Sequence, residues 1–130
     1  MIWAVVVTHN RLPWLQQVIQ AVEQQTHPPD HIIVVNNHST DGTEAWLKTS
    51  KINSIHQNNL GGAGGFRTGM QAALAGGAEW VWVLDDDCAP LPDCLKNLLK
   101  HKELSQCLNP VHKSVGGEIY GEEVWIDAAS

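Results

Sequence analysis

Trp80-Val81-Trp82-Val83-Leu84-Asp85-Asp86-Asp87 is the stretch on which the fold turns. Its apolar part is short, β-branched and aromatic, so it reads as a buried strand ended abruptly by charge. Ligands of a parallel sheet bind just beyond the carboxyl ends of the strands, and the acidic triplet stands at such an end. Alternate residues of an extended chain project to one side, so Asp85 and Asp87 are expected to converge on one cation. Carboxylates without neighbouring thiolate or imidazole ligands favour a hard ion, Mg²⁺ or Mn²⁺. Taken alone, three aspartates are more simply a solvated acidic turn. The flanking sequence decides between the two.

Upstream, Ile2 to Val7 is a strand by the same logic, and Pro13 opens a helix whose apolar face is Leu15, Val18, Ile19 and Val22. His27-Pro28-Pro29-Asp30 stops that helix, and Ile32 to Val35 is the second strand. Ser39 to Glu44 supplies polar cap residues before a short helix carrying Ala45, Trp46 and Leu47. Ile52 to His56 is a brief third strand. A glycine-rich turn, Gly61-Gly62-Ala63-Gly64-Gly65, then leads into a helix with Phe66, Met70 and Leu74 on one face. Downstream of the aspartates, Leu91, Cys94, Leu95, Leu98 and Leu99 define a further amphipathic helix. Strands alternating with helices predict an α/β fold, a three-layer α/β/α arrangement around a mainly parallel sheet with right-handed crossovers. Beyond Pro110 the pattern weakens: Ser114 to Tyr120 and Glu122 to Ile126 read either as a hairpin around Gly121 or as a tail.

With 130 residues the chain is expected to form one domain, and 43% hydrophobic with 17% charged residues is an ordinary globular composition. A formal charge of −6 argues against a broad nucleic-acid surface, which needs Lys and Arg. An acidic protein that holds a small polyphosphate must use backbone N–H groups, a few placed cations or a metal. Cys88, Cys94 and Cys107 show no CxxC pairing and suit reduced thiols. No stretch reaches transmembrane length. A cytoplasmic location is therefore expected, with attachment to the inner membrane face through a partner left open.

Each polar or glycine-rich cluster follows a strand. Thr8-His9-Asn10-Arg11, Asn36-Asn37-His38-Ser39, Asn58-Asn59-Leu60-Gly61-Gly62 and the aspartates should all meet on one edge, an architecture for a nucleotide-like ligand. The glycines let the backbone approach an anion and the next helix start offers it N–H groups, although tight helix–sheet packing explains them equally well. They form neither a dinucleotide fingerprint, since Arg67 stands where the last Gly would fall, nor a P-loop, since no Gly-Lys-Ser/Thr follows. Arg67 is expected on a diphosphate or a neighbouring carboxylate. His9 is weighed evenly between ligand contact and a structural role, and the other six histidines read as surface residues. The tryptophans read as core packing, with sugar stacking by Trp125 a weaker alternative.

In this order, Val-Val-Val-Thr8-His9-Asn10-Arg11, Val-Val-Asn36-Asn37-His38-Ser39-Thr40-Asp41-Gly42-Thr43, Asn59-Leu60-Gly61-Gly62-Ala63-Gly64-Gly65-Phe66 and Asp85-Asp86-Asp87 closely resemble family 2 glycosyltransferases of the GT-A fold. The glycine motif is most similar to the branch containing galactofuranosyl- and rhamnosyltransferases. The resemblance spans about residues 1–105. It implies transfer of a sugar from a nucleotide-diphosphate sugar, UDP- or dTDP-linked first of all, to a glycan or lipid-linked acceptor, metal-assisted and inverting. Thr8 to Arg11, Asn36 and Asn37 would line the nucleoside pocket, and Asn59, Gly61 and Gly62 would lie beside the ribose and diphosphate. Asp85 and Asp87 would be the DxD pair, with Asp87 the main ligand of Mn²⁺ or Mg²⁺ and Asp85 shared with the ribose, and Asp86 would be a further contact to the donor. The family usually has Asp where Asn36 stands; an Asn oxygen still accepts a hydrogen bond, but the charge is lost.

Residues 1–105 are thus expected to be a donor-binding half, and residues 106–130 the start of an incomplete acceptor-side region. No late carboxylate (Glu118, Glu122, Glu123 or Asp127) has a motif marking it as the base that activates an acceptor, so the catalytic residue stays unassigned. A homo-oligomer or a completing partner chain is one expectation for this shortfall. A non-catalytic nucleotide-sugar-binding module is the alternative to an enzyme. An α/β phosphohydrolase fits worse, because no nucleophilic Asp follows the first strand.

Overall fold

The computed structural model describes residues 1–58, 61–105 and 108. In order they form β1 (Ile2–Thr8), α1 (Leu12–Glu23), β2 (His31–Asn37), α2 (Thr43–Thr49), β3 (Asn53–Gln57), α3 (Gly61–Ala75), β4 (Trp80–Asp85) and α4 (Cys94–Leu99). Every strand read from the sequence is present, each running a residue or two further toward the ligand edge than its apolar run.

The described sheet is wholly parallel, in the order β3-β2-β1-β4. Ile2, Ala4 and Val6 with Val34, Trp82 and Leu84 face α1, α2 and α4, which contribute Leu15, Val18, Ile19, Val22, Leu47 and Leu95. Trp3, Val5, Ile33, Ile55 and Val81 face α3 through Phe66, Ala72 and Ala73. Chain direction explains the split. β1 to β3 progress one way across the sheet, and the step to β4 passes back over β2 and β1. With one crossover hand, that reversal puts α3 on the opposite face. The three-layer α/β/α expectation holds.

Four local readings need correction. Residues 61–65 are not a turn before α3 but its first residues. The face that α3 buries is Gly65, Gly69 and Ala73, whereas Met70 and Leu74 are exposed. The reason is proximity: a Cβ at Gly69 would stand 2.3 Å from Val5 Cγ1, and one at Gly65 would stand 2.6 Å from Val7 Cγ1. The helix backbone lies directly on the sheet, where larger side chains have no room. Val83 is exposed although its strand read as buried throughout, because α3 lies mainly over β1 and β2 and leaves the Val83 end of β4 uncovered. Leu91 likewise falls outside α4 and is exposed. The proposed hairpin beyond Pro110, Cys107 and Trp125 lie outside the described residues.

Candidate functional site

In strand order β3-β2-β1-β4, the connections leaving β1 and entering β4 run to opposite sides, so the carboxyl ends of β1 and β4 flank a topological switch point. Open α/β sheets bind ligands in the crevice such a point creates. A cleft of about 170 Å³ opens there, lined by Val7, Thr8, His9, Arg11, Asn37, Phe66, Asp85 and Asp86. A larger cleft, about 400 Å³, lies over the ends of β2 and β3 between Asn36, His38, Ser39, Glu44, His56, Gln57 and Asn58. Asn36 lines the larger cleft and Asn37 the smaller, so both reach the end of β2.

Asp86 is buried at the floor of the smaller cleft. Its Oδ2 accepts the Thr8 hydroxyl at 2.9 Å and its Oδ1 accepts Arg11 Nη1 at 3.3 Å. The same Nη1 donates to Asp87 Oδ2 at 3.0 Å. Asp85 ends β4, while Asp86 and Asp87 lie in the turn beyond it. The alternation expected of an extended chain therefore does not extend to Asp87; what holds that residue is Arg11. Asp85 and Asp87 are both exposed. Burial pushes the Cys88 thiol above its ordinary range, and the charges of Asp87 and Asp85 add to the shift. It is a thiol, not a thiolate, near neutral pH.

A clamp that the sequence reading missed fixes the chain beyond the aspartates. Buried Gln25 donates from Nε2 to the Leu91 carbonyl at 2.7 Å and accepts the Leu95 N–H at 3.0 Å. Thr26 donates to Asp93 Oδ1 at 2.7 Å. Nothing in a polar Gln-Thr pair at the end of a helix distinguishes this role from ordinary solvent exposure.

Most residues read as ligand contacts spend their side chains on one another. Asn10, in left-handed backbone geometry (φ 51°), accepts the Thr40 N–H at 2.6 Å and donates its own N–H to Ser39 Oγ at 3.0 Å. Asn37 donates to the Gly61 carbonyl at 3.2 Å and accepts Gln57 Nε2 at 2.8 Å. Asn36 accepts the Ser39 N–H at 3.1 Å, and its Nδ2 faces His56 Nδ1 at 3.1 Å. Because the Ser39 N–H can only donate, the Asn36 oxygen must point to it, and Nδ2 then donates to the imidazole. Together these bonds tie the loops after β1, β2 and β3 into one frame. Their contribution is first of all shape.

Groups still open to the clefts are fewer. The Asn37 carbonyl can only accept, so His9 Nδ1 carries the proton and Nε2 is an acceptor, with Asn10 Nδ2 at 3.4 Å. Arg11, Asp85 and Asp87 complete the set around the smaller cleft. Arg67 stands exposed on α3 with no ion pair among the described residues, so the neighbouring-carboxylate role is not seen. Gly61 opens α3 with φ +78°, Gly62 follows it, and Asn59 lies outside the described residues. His56 and His38, read as surface histidines, line the larger cleft. In the structure His56 pairs in register with Asn36 at the strand end.

Among the described residues no group of three His, Cys, Asp or Glu side chains could hold a metal by itself. The carboxylates that would hold one are Asp85 and Asp87, both exposed. That set suits Mg²⁺ or Mn²⁺, which commonly take one or two carboxylates and complete their shell with phosphate oxygens and water.

Comparison with known proteins bears on this geometry. The sequence model of the family described as glycosyl transferase family 2 matches residues 3–115. Galactofuranosyltransferase GlfT1 of Mycolicibacterium smegmatis is 44% identical over 90 residues, covering 67% of this chain and 30% of that protein. Its counterpart in Mycobacterium tuberculosis (strain CDC 1551 / Oshkosh) is 43% identical over 93 residues, again with 30% of its length covered. The chain thus spans about a third of the length of these relatives. Among solved structures, the mannosyltransferase PcManGT from Pyrobaculum calidifontis, in complex with GDP-Man and Mn²⁺, superposes with a TM-score of 0.66 at 26% identity, covering 76% of this chain and 31% of that one.

Proposed function

The chain belongs to glycosyl transferase family 2, and from that premise we propose that it is the donor-binding portion of a metal-assisted, inverting glycosyltransferase. The donor is a nucleotide-diphosphate sugar, UDP- or dTDP-linked, and the acceptor a glycan or lipid-linked sugar. A galactofuranosyl donor is the first to test, given the relatives named above. One observation carries the reading: two clefts reach the end of β2, one at Asn36 and one at Asn37, and the smaller extends to the aspartate turn over the switch point. The GDP-Man and Mn²⁺ of the mannosyltransferase support a ligand of this chemical class.

On this reading the nucleoside occupies the larger cleft. Asn36 and His56 form its wall, and the frame built by Asn10, Asn37 and Ser39 sets its width. The diphosphate lies in the smaller cleft beside the start of α3, because the N-terminal end of a helix favours an anion. His9 Nε2 accepts a hydrogen bond from a ligand hydroxyl or N–H. Arg11 and Arg67 are the cations available to the phosphates. Asp85 and Asp87 would hold Mn²⁺ or Mg²⁺, which when bound offsets the charge that develops on the leaving diphosphate. Asp86 does not bind the ion; through Thr8 and Arg11 it fixes the turn. No described residue is assigned as the base for an acceptor hydroxyl, and residues 106–130 are proposed to begin the acceptor side.

Calorimetric titration of UDP, dTDP and GDP, each with and without Mn²⁺, tests the binding claim. The expected result is Mn²⁺-dependent binding with one base preferred. Binding that ignores Mn²⁺ would remove the metal site from the proposal. Release of nucleotide diphosphate from the matching sugar donor separates an enzyme from a binding module: binding without turnover favours the latter.

A further inference from the structure

Arg11 occupies an unusual position for a residue expected to touch a ligand. A single guanidinium nitrogen spans the buried Asp86 and the exposed Asp87, at 3.3 and 3.0 Å. Asp86 is not free to follow a moving partner, because its second oxygen is held by Thr8 inside the fold. Asp87 is free to exchange partners, and so is the half-exposed Arg11 side chain. The turn that would receive a divalent cation thus carries a cation of the protein itself.

We infer that Arg11 makes metal binding at the aspartate turn depend on the diphosphate. This rests on the reading of Asp85 and Asp87 given above. A divalent ion that approaches Asp87 alone must displace the Arg11 contact or sit beside a like charge, and either lowers its affinity. A diphosphate arriving with the ion offers the guanidinium a second anion, for which its planar fork is well suited. Arg11 then exchanges carboxylate for phosphate and leaves Asp87 to the metal. The two ligands are thereby coupled, and the coupling is reciprocal. A physical consequence is that the turn discriminates against free metal and against unmetallated nucleotide alike.

Mn²⁺ affinity, read by titration of the free-ion paramagnetic resonance signal, tests this with the full chain, alone and with saturating UDP. In the unaltered protein UDP should tighten Mn²⁺ binding about tenfold, a typical size for coupled sites. Arg11→Met should bind Mn²⁺ alone about tenfold more tightly, and the further gain from UDP, left to phosphate contact with the ion itself, should be clearly smaller than in the unaltered protein. Arg11→Lys, which keeps the charge, should restore much of the UDP dependence. A purely structural role for Arg11 predicts the reverse: Arg11→Met would weaken Mn²⁺ binding with or without UDP. That weakening, or an undiminished UDP effect in Arg11→Met, overturns the inference while leaving the donor site intact. Absence of UDP-enhanced Mn²⁺ binding in the unaltered protein overturns both.

Discussion

Asp86 is a buried carboxylate whose two oxygens are each held by one neighbour, Thr8 and Arg11. Leaving such a group half-satisfied is expensive, because the desolvation cost of the orphaned oxygen is no longer offset. Thr8→Val preserves shape and removes only the hydroxyl donor. It should lower unfolding stability by about 2 kcal/mol, measured by urea denaturation, and weaken nucleotide binding by loosening the turn. An unchanged midpoint would mean that water replaces the hydroxyl and that Thr8 does not hold Asp86. At this scale the sequence was partly legible. Polarity at the ends of buried strands marked Thr8, Asn36, Asn37 and the aspartates as belonging to one edge. Whether such a side chain faces a ligand or a neighbour depends on partners 28 to 78 residues away, as the His9–Asn37 and Thr8–Asp86 bonds illustrate, and no local pattern encodes that.

At the scale of elements, α3 and the start of α2 make contrasting points. In α3 the amphipathic reading chose the large apolar residues Phe66, Met70 and Leu74, and only Phe66 packs on the core. Hydrophobicity was the wrong guide because the helix sits too close to the sheet for side chains, and the glycines marked the contact. Gly69→Ala should therefore destabilise the fold by about 1–3 kcal/mol through overpacking against Val5 and Val35, despite alanine's better helix propensity. Met70→Ala on the exposed face should stay within about 0.5 kcal/mol. Thermal denaturation of both distinguishes the two faces; equal effects would place the contact elsewhere. At α2 the N-cap is Gly42, which has no side chain to offer, and the polar residue before it bonds the helix start instead. Asp41 accepts the Thr43 N–H and hydroxyl and also the Leu12 N–H, so one carboxylate serves two helix starts. Burial pushes its pKa up, but the Thr43 hydroxyl and the N–H groups outweigh this and hold it below 3.8. A depressed carboxylate contributes stability above its unfolded value and loses it as pH falls through the folded one. Asp41→Ala should cost about 1 kcal/mol at neutral pH, an ordinary capping energy. That cost should shrink only below about pH 4, where the unfolded carboxyl begins to protonate. A cost that persists unchanged at pH 2 would show that packing, not charge, is lost.

The molecule as a whole places four strand ends on one edge and puts the reversal of connection between β1 and β4, where the aspartate turn meets Thr8 to Arg11. This much was legible from periodicity, because parallel strands with covering helices leave few topologies open. Of the larger cleft, Asn36, His38, Ser39 and Asn58 were legible in the same way, whereas His56 and Gln57, on a short, half-polar strand, gave no apolar signal to read. Among the described residues no helix is long and apolar enough to cross a membrane. The central claim is that the turn at Asp85 and Asp87 holds a divalent ion together with a nucleotide diphosphate. Paramagnetic broadening tests it most directly. Substoichiometric Mn²⁺ is added to ¹⁵N-labelled protein saturated with UDP, and the backbone amide signals are followed. The account predicts that signals from residues 85–88 and 8–11 vanish first, while those at the far ends of the strands, around Trp3 and Trp80, persist. Broadening centred on other carboxylates, or uniform weak broadening without a focus, would contradict it.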